Sequence, residues 1–271
     1  MPTTYAHYRF GCTVYNRLPE KQQHLIDTYR PLYDIGLHGP DVLFYYRPFL
    51  SNEVKALGNS MHNQTGQEVF AQAGERILRE FDFRPLLVYT YGFLCHFVLD
   101  AMCHGYVARK ILDSGISHSE IEAEFDRALM VHDGYNPVRH CVTGHLQPTK
   151  AHAAVLSRFF SGITQRQAYE AMRSMVQELN LLTQPSHLGR GALYAALTLS
   201  GNRGMCDLVV NYRANPACFD STEELARRYV QAQTKAVEAI SSYFDIIHGR
   251  GTYDSLFDRT FDPSPEEKTD G

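Results

Sequence analysis

Residues 93–106 read FLCHFVLDAMCHGY. Three strong metal ligands, His96, Asp100 and His104, recur every four residues through this otherwise apolar run. In an α-helix four residues advance ~400°, so side chains at i and i+4 stand only about 40° apart around the axis. The three therefore project from one side of a helix that begins after Pro85. Cys95 and Cys103 neighbour the histidines but fall off the stripe, which assigns them to core packing.

Just downstream, SHSEIEAEFD at 117–126 repeats the spacing with His118 and Glu122. Ser117-x-x-Glu120 is a capping box that starts this second helix and puts His118 in its first turn. Two helices joined by a short loop can thus aim five ligands at one cleft. A mixed imidazole and carboxylate set suits zinc, and five ligands exceed what one tetrahedral ion needs, which points to more than one ion. A lone helical histidine is more often a packed or surface residue, and chance supplies single His-x3-Asp pairs in a chain with 13 histidines. The doubled pattern is different, because burying this many ionisable groups without a compensating ion would be costly.

Helical periodicity extends over the rest of the chain. Residues 64–82 and 164–182 carry apolar positions at three- and four-residue intervals. Thr164-x-x-Gln167 and Ser221-x-x-Glu224 read as further capping boxes, and Gly/Pro clusters at 36–40, 134–137 and 201–204 separate the segments. No sustained two-residue alternation and no internal repeat is present. The expectation is one all-α domain over residues 1–250, followed by a polar, disordered tail over 251–271.

Composition narrows the function classes. The net charge of −4 and the pI near 6.3 give no global attraction to phosphate backbones or anionic membranes, so no stable nucleic-acid partner is expected. Six cysteines without CxxC or paired spacing read as reduced thiols. The opening MPTTYAHYRFG shows no signal-peptide pattern, and no apolar stretch reaches the ~20 residues of a membrane helix. A cytoplasmic protein without a transmembrane segment is expected.

The order His-x3-Asp, His, His-x3-Glu in a helical chain resembles the zinc-dependent phospholipase C family, whose fold is shared with single-strand-specific nucleases. The resemblance covers roughly residues 1–135. It implies N-terminal ligands, and the sequence offers His7 in YAHYRFG, Asp41 in GLHGPDVLFYY and His62 in NSMHNQ. It further implies that Asp41, His62, His96 and Asp100 hold one zinc, and that His104, His118 and Glu122 hold a second. His7 and the far oxygen of a bridging Asp100 would hold a third. Asp41 would also orient or deprotonate the attacking water, making it the catalytic residue. Two departures stand out. Secreted members chelate the third zinc with an N-terminal Trp, whereas this chain has no Trp and opens Met-Pro, leaving that ion to His38, to the Pro2 amine, or out of the site. The interval from Asp100 to His104 is also shorter than in those enzymes.

Other candidates are blander. His38, beside Asp41, fits a supporting residue or substitute ligand. Asp126 and Asp133 fit structural or capping roles, and His132-Asp133 before GYNP fits a turn. His145, His152, His187 and His248 lack ligand spacing and read as core or surface. LFYYRPFL at 43–50 reads as core packing in preference to a cleft floor.

The leading function is a zinc-dependent phosphodiester hydrolase similar to phospholipase C, with a metal-activated water as nucleophile and a phosphodiester or phospholipid-type substrate. A nuclease-like or other phosphoesterase is the alternative within that chemistry, although no Lys/Arg cluster adjoins the ligands. An HD-type phosphohydrolase would need an adjacent His-Asp on its metal helix, and a ferritin-like di-iron protein would need Glu-x-x-His pairs, which the chain lacks. The non-enzymatic alternative is a helical protein whose metal only holds it together.

Overall fold

The computed structural model describes residues 4–266. Both the Pro2 amine and residues 267–271 of the expected tail lie outside the described residues. The elements are α1 (Thr4–Tyr15), α2 (Glu20–Thr28), α3 (Arg30–Gly36), α4 (Glu53–His62), α5 (Gly66–Arg79), α6 (Arg84–Ser114), α7 (His118–His132), α8 (Lys150–Phe159), α9 (Gln165–Leu182), α10 (His187–Leu199) and α11 (Phe219–Ile247). Short 3-10 helices at Gly39–Tyr45, Arg203–Leu208, Pro216–Cys218 and Ser255–Asp258 join them. Among the described residues there is no β-strand, only an isolated antiparallel bridge between Thr65 and Thr260. The fold is all-α.

Helix α6 is the central post. Pro85 sits in its first turn, where a missing N–H is harmless, and Gly115 ends it at φ +71°. Its 31 residues are long and apolar enough to cross a membrane by length and composition, which the sequence reading did not anticipate. That apolar window is 94% buried inside the protein, as expected of a core helix. α3 and α11 pack along its flanks. Where α3 crosses α6, a Cβ on Gly36 would strike the Tyr89 carbonyl, and one on Gly92 would strike that of Tyr33. The two glycines let the backbones touch and bring the Gly39–Tyr45 turn, with Asp41, down onto His96.

The Thr164 box forms reciprocally, and Ser117 accepts from the Glu120 N–H. The Ser221 box does not form: α11 starts earlier, because the Pro216–Cys218 turn feeds straight into it, and Ser221 Oγ instead donates to the Cys218 carbonyl at 3.0 Å. A capping box at Thr65–Glu68, not singled out from sequence, starts α5.

The expected boundary at residue 250 needs correction. Phe257 and Phe261 are buried, and both pack on Phe97, with Phe257 also on Phe70 and Phe261 also on Phe93. The polar residues around Tyr253, Phe257 and Phe261 hid an anchored strap. In LFYYRPFL, Leu43, Tyr45 and Tyr46 are buried as expected, but Phe49 and Leu50 are each 60% exposed.

Candidate metal centre

Five imidazoles and three carboxylates converge in the core beside α6. Their ligand atoms form three groups, each within 4.8 Å: His7, His96 and Asp100; Asp41, His62 and His96; and His104, His118 and Glu122. All eight are among the residues singled out from the sequence. The sharing of His96 between two groups was not legible there. All are buried except His118, which sits half-buried at the start of α7.

Asp100 is the hub. Its Oδ2 stands 2.9 Å from His96 Nε2, and its Oδ1 stands 3.2 Å from His7 Nε2 and 3.5 Å from His104 Nε2. Burial alone would raise its pKa, yet His104, His96 and His7 hold it well below the usual carboxylate range. Asp41 Oδ1 lies 3.1 Å from His62 Nε2, and against the same burial penalty His96 and His62 keep Asp41 ionised. Glu122 Oε1 lies 2.9 Å from His118 Nε2 and 3.1 Å from His104 Nε2. It too is held well below its ordinary range despite burial, first by His118.

The ring orientations are set from behind. His62 Nδ1 donates to the Gly58 carbonyl at 2.8 Å, and His104 Nδ1 donates to the Phe261 carbonyl at 2.9 Å. Both rings thereby present Nε2 to the carboxylates, the usual arrangement behind a metal-ligating imidazole. Gly39, at φ +49°, leaves the space the His96 ring occupies: a Cβ there would stand 2.7 Å from His96 Nε2.

Does a metal fit? Among the described residues, His96 Nε2, His118 Nε2, Asp41 Oδ1 and Glu122 Oε2 are buried yet complete no hydrogen bond, although some face one another at hydrogen-bond distance. Buried polar atoms are normally satisfied, so a convergent set of orphans marks missing partners. A void of about 20 Å³ is bounded in part by His7, Asp100, His104 and Glu122, roughly the room of one water-sized sphere. The residues fit a divalent ion such as zinc.

The supporting candidates sort clearly. Asp126 on α7 is structural, accepting the Tyr5 and Ala6 N–H groups at 3.0 and 2.7 Å and so tethering the helix that carries His7. Asp133 accepts from the Tyr5 hydroxyl and the Arg9 guanidinium. His38 is buried, with its Nε2 2.8 Å from His145 Nε2. Burial lowers both, His145 to about 3, so one ring donates and the other accepts. Tyr8 stacks on His145. Spacing gave no hint of this partner, because the chain reaches it across a long irregular loop. Asp262 was likewise missed: its Oδ1 lies 2.8 Å from His104 Nδ1.

A cleft opens from Glu122 and Asp126 between α7 and α9, walled by Tyr45, Leu179, Leu182 and Leu208. It shares Tyr45, Ser119, Leu182 and Leu208 with an apolar cavity of about 310 Å³ that also takes in Phe44 and Met205.

Comparison with known proteins agrees with this chemistry. Residues 6–173, more than half of the chain, match the family model described as zinc dependent phospholipase C, and that span contains all eight ligand candidates. No curated protein and no solved structure matches the chain. Fold, ligand set and family match together make this chain a member of the zinc-dependent phospholipase C family.

Proposed function

We propose that this protein hydrolyses a phosphodiester of the phospholipid type, using two or three zinc ions held by His7, Asp41, His62, His96, Asp100, His104, His118 and Glu122. The observation that carries the reading is the convergence of buried, unsatisfied imidazole and carboxylate atoms in three groups around one hub carboxylate. Bound there, zinc would supply Lewis-acid polarisation of the phosphoryl group and a lowered pKa for water.

The chain's own residues supply the rest. Asp41 is held ionised and its buried Oδ1 completes no hydrogen bond with a described residue, so it can accept a hydrogen bond from a water and orient it. The Gly58 and Phe261 carbonyls keep His62 and His104 facing inward. The apolar cleft beside Glu122 suits an amphiphilic ester, whose acyl portion would lie along Tyr45, Leu182 and Leu208 while its phosphate meets the ligand cluster. Six free cysteines support the cytoplasmic setting proposed for it.

The test is hydrolysis of bis-p-nitrophenyl phosphate, short-chain phosphatidylcholine and single-stranded DNA by zinc-reconstituted and chelator-treated protein. Zinc-dependent cleavage of the first two supports the proposal. Cleavage of DNA alone would move it to the nuclease branch. Folded, zinc-loaded protein that cleaves no phosphodiester would leave the metal a purely structural role.

A further inference from the structure

The strap over residues 253–266 lies wholly beyond the matched family span, yet it is bound to the helix that carries the metal ligands. Polar contacts along its length fasten it, among them an ion pair from Lys235 on α11 to Asp254 at 2.8 Å. The Gly66 N–H donates to the Arg259 carbonyl at 2.9 Å, and Arg259 Nη1 donates to the Ala101 carbonyl on α6 at 3.3 Å. The Glu266 N–H donates to the Gly105 carbonyl at 3.1 Å, one residue past His104. Arg228 on α11 grips both oxygens of Glu266 at 2.6 and 2.7 Å and also reaches the Met102 carbonyl at 3.0 Å. Gly105 leaves the room for this: a Cβ there would press against the Glu266 side chain at 3.0 Å.

What these fastenings place against the ligands is specific. The Phe261 ring, fully buried, lies against the rings of both His62 and His96, with centroids 5.7 and 6.0 Å away. Its carbonyl accepts a hydrogen bond from His104 Nδ1, and the Asp262 carboxylate stands 2.8 Å from the same nitrogen. A carboxylate behind a ligating imidazole fixes its tautomer and raises its basicity. Asp262 is itself half-exposed, and among the described residues its ion pair is with His104.

We propose that the strap is a working part of the metal centre, with Asp262 a positioning residue that orients and strengthens His104 as a ligand of the His104, His118 and Glu122 group. The proposal rests on the zinc reading above. It makes Asp262 selective for one ion, although the strap's Phe261 packs on both groups: the group containing His104 depends on Asp262, and the group of Asp41, His62 and His96 does not. Binding is reciprocal, so zinc in the His104 group also holds the strap down.

The experiment titrates zinc into metal-free, full-length wild type, Asp262→Ala and Asp262→Asn against a chromophoric chelator. It is paired with the cobalt(II) absorption spectrum and the Tm of each metal-free protein. Asp262→Ala should weaken one zinc site by roughly tenfold or more and change one component of the cobalt spectrum. The remaining site or sites should stay at wild-type values, and the metal-free Tm should fall by no more than the few degrees that loss of one His104–Asp262 pair explains. Asp262→Asn, whose amide oxygen can still accept from Nδ1, should fall between. Wild-type affinity at every site in Asp262→Ala overturns the positioning role while leaving the zinc reading intact. Equal weakening of all sites with a fall in metal-free Tm also overturns it, reducing the strap to packing. A wild type that binds no zinc overturns both.

Discussion

Replacing Gly39 by alanine touches no ligand, yet should disable the metal centre. Gly39 sits at φ +49°, where an L-side chain is strained by about 1–2 kcal/mol. The larger effect is steric. The added methyl would lie 2.7 Å from His96 Nε2 and 2.6 Å from its Cγ. Carbon contacts are comfortable near 3.5–4.0 Å, so the ring must retreat by roughly 1 Å. It has little freedom to do so, being fully buried between His7, with ring centroids 4.4 Å apart, and Phe261. Because His96 belongs to two of the three ligand groups, one displacement disturbs both. A 1 Å misplacement typically costs about 10²-fold in rate, equivalent to about 2.7 kcal/mol. Gly39→Ala should therefore fold with a Tm only a few degrees lower, hold fewer zinc ions per chain, and lose on the order of a hundredfold in phosphodiester turnover. Elemental analysis, thermal unfolding and hydrolysis of bis-p-nitrophenyl phosphate read the three quantities. A folded Gly39→Ala protein with wild-type zinc content and turnover would refute the placement of His96 at the shared position.

Further outcomes follow from the same geometry. Asp100→Asn should release more zinc than His7→Ala, since Asp100 stands within 3.5 Å of His7, His96 and His104, which between them belong to all three groups, while His7 faces one carboxylate; equal metal content by elemental analysis would contradict the hub. Asp41→Asn should lower turnover more than zinc content, and a proportional loss of both would make Asp41 a ligand without a role toward water. Asp126→Asn presents an amide donor to one of two backbone N–H groups and should cost about 1–3 kcal/mol in unfolding free energy, read by denaturant titration. In the metal-free protein, burial opposes charging of His62 and His104, yet Asp41 and Asp100 respectively are the strongest of the neighbours that raise them. A raised histidine pKa adds stability below the unfolded value near 6.5, and that stability is lost as the pH rises through the folded value. Zinc must displace those protons, so the Tm increment it produces should grow from pH 6 to 8.5, and a shrinking increment would contradict the assignment.

Much of this site was legible in the residues themselves. The i,i+4 stripe on an apolar helix is a local signal, and so is the His118–Glu122 pair, because helical geometry alone brings those side chains to one face. His7, Asp41 and His62 came from the family resemblance, since nothing local links a histidine in α1 to a turn at Asp41. What stayed hidden depends on long-range closure. The Gly36–Gly92 contact that lowers Asp41 onto His96, the pairing of His145 with His38, and the return of Phe261 and Asp262 to His104 join residues tens to more than a hundred positions apart. The strap was misread because Tyr253, Phe257 and Phe261, though four residues apart, stand in a mostly polar, Pro-containing segment. Helix starts were legible where a capping box stood alone, as at Thr164, and misleading at Ser221, where a preceding 3-10 turn had already nucleated α11.

Anomalous diffraction at the zinc absorption edge, from crystals of zinc-loaded protein, would locate each ion against its ligands. Two or three strong peaks are expected within about 2.0–2.1 Å of the inward ring nitrogens. One should lie among Asp41, His62 and His96, another among His104, His118 and Glu122, and any third beside His7 and Asp100. Peaks confined to surface residues such as His152 or His248, with the buried groups empty at saturating zinc, would contradict the buried zinc centre.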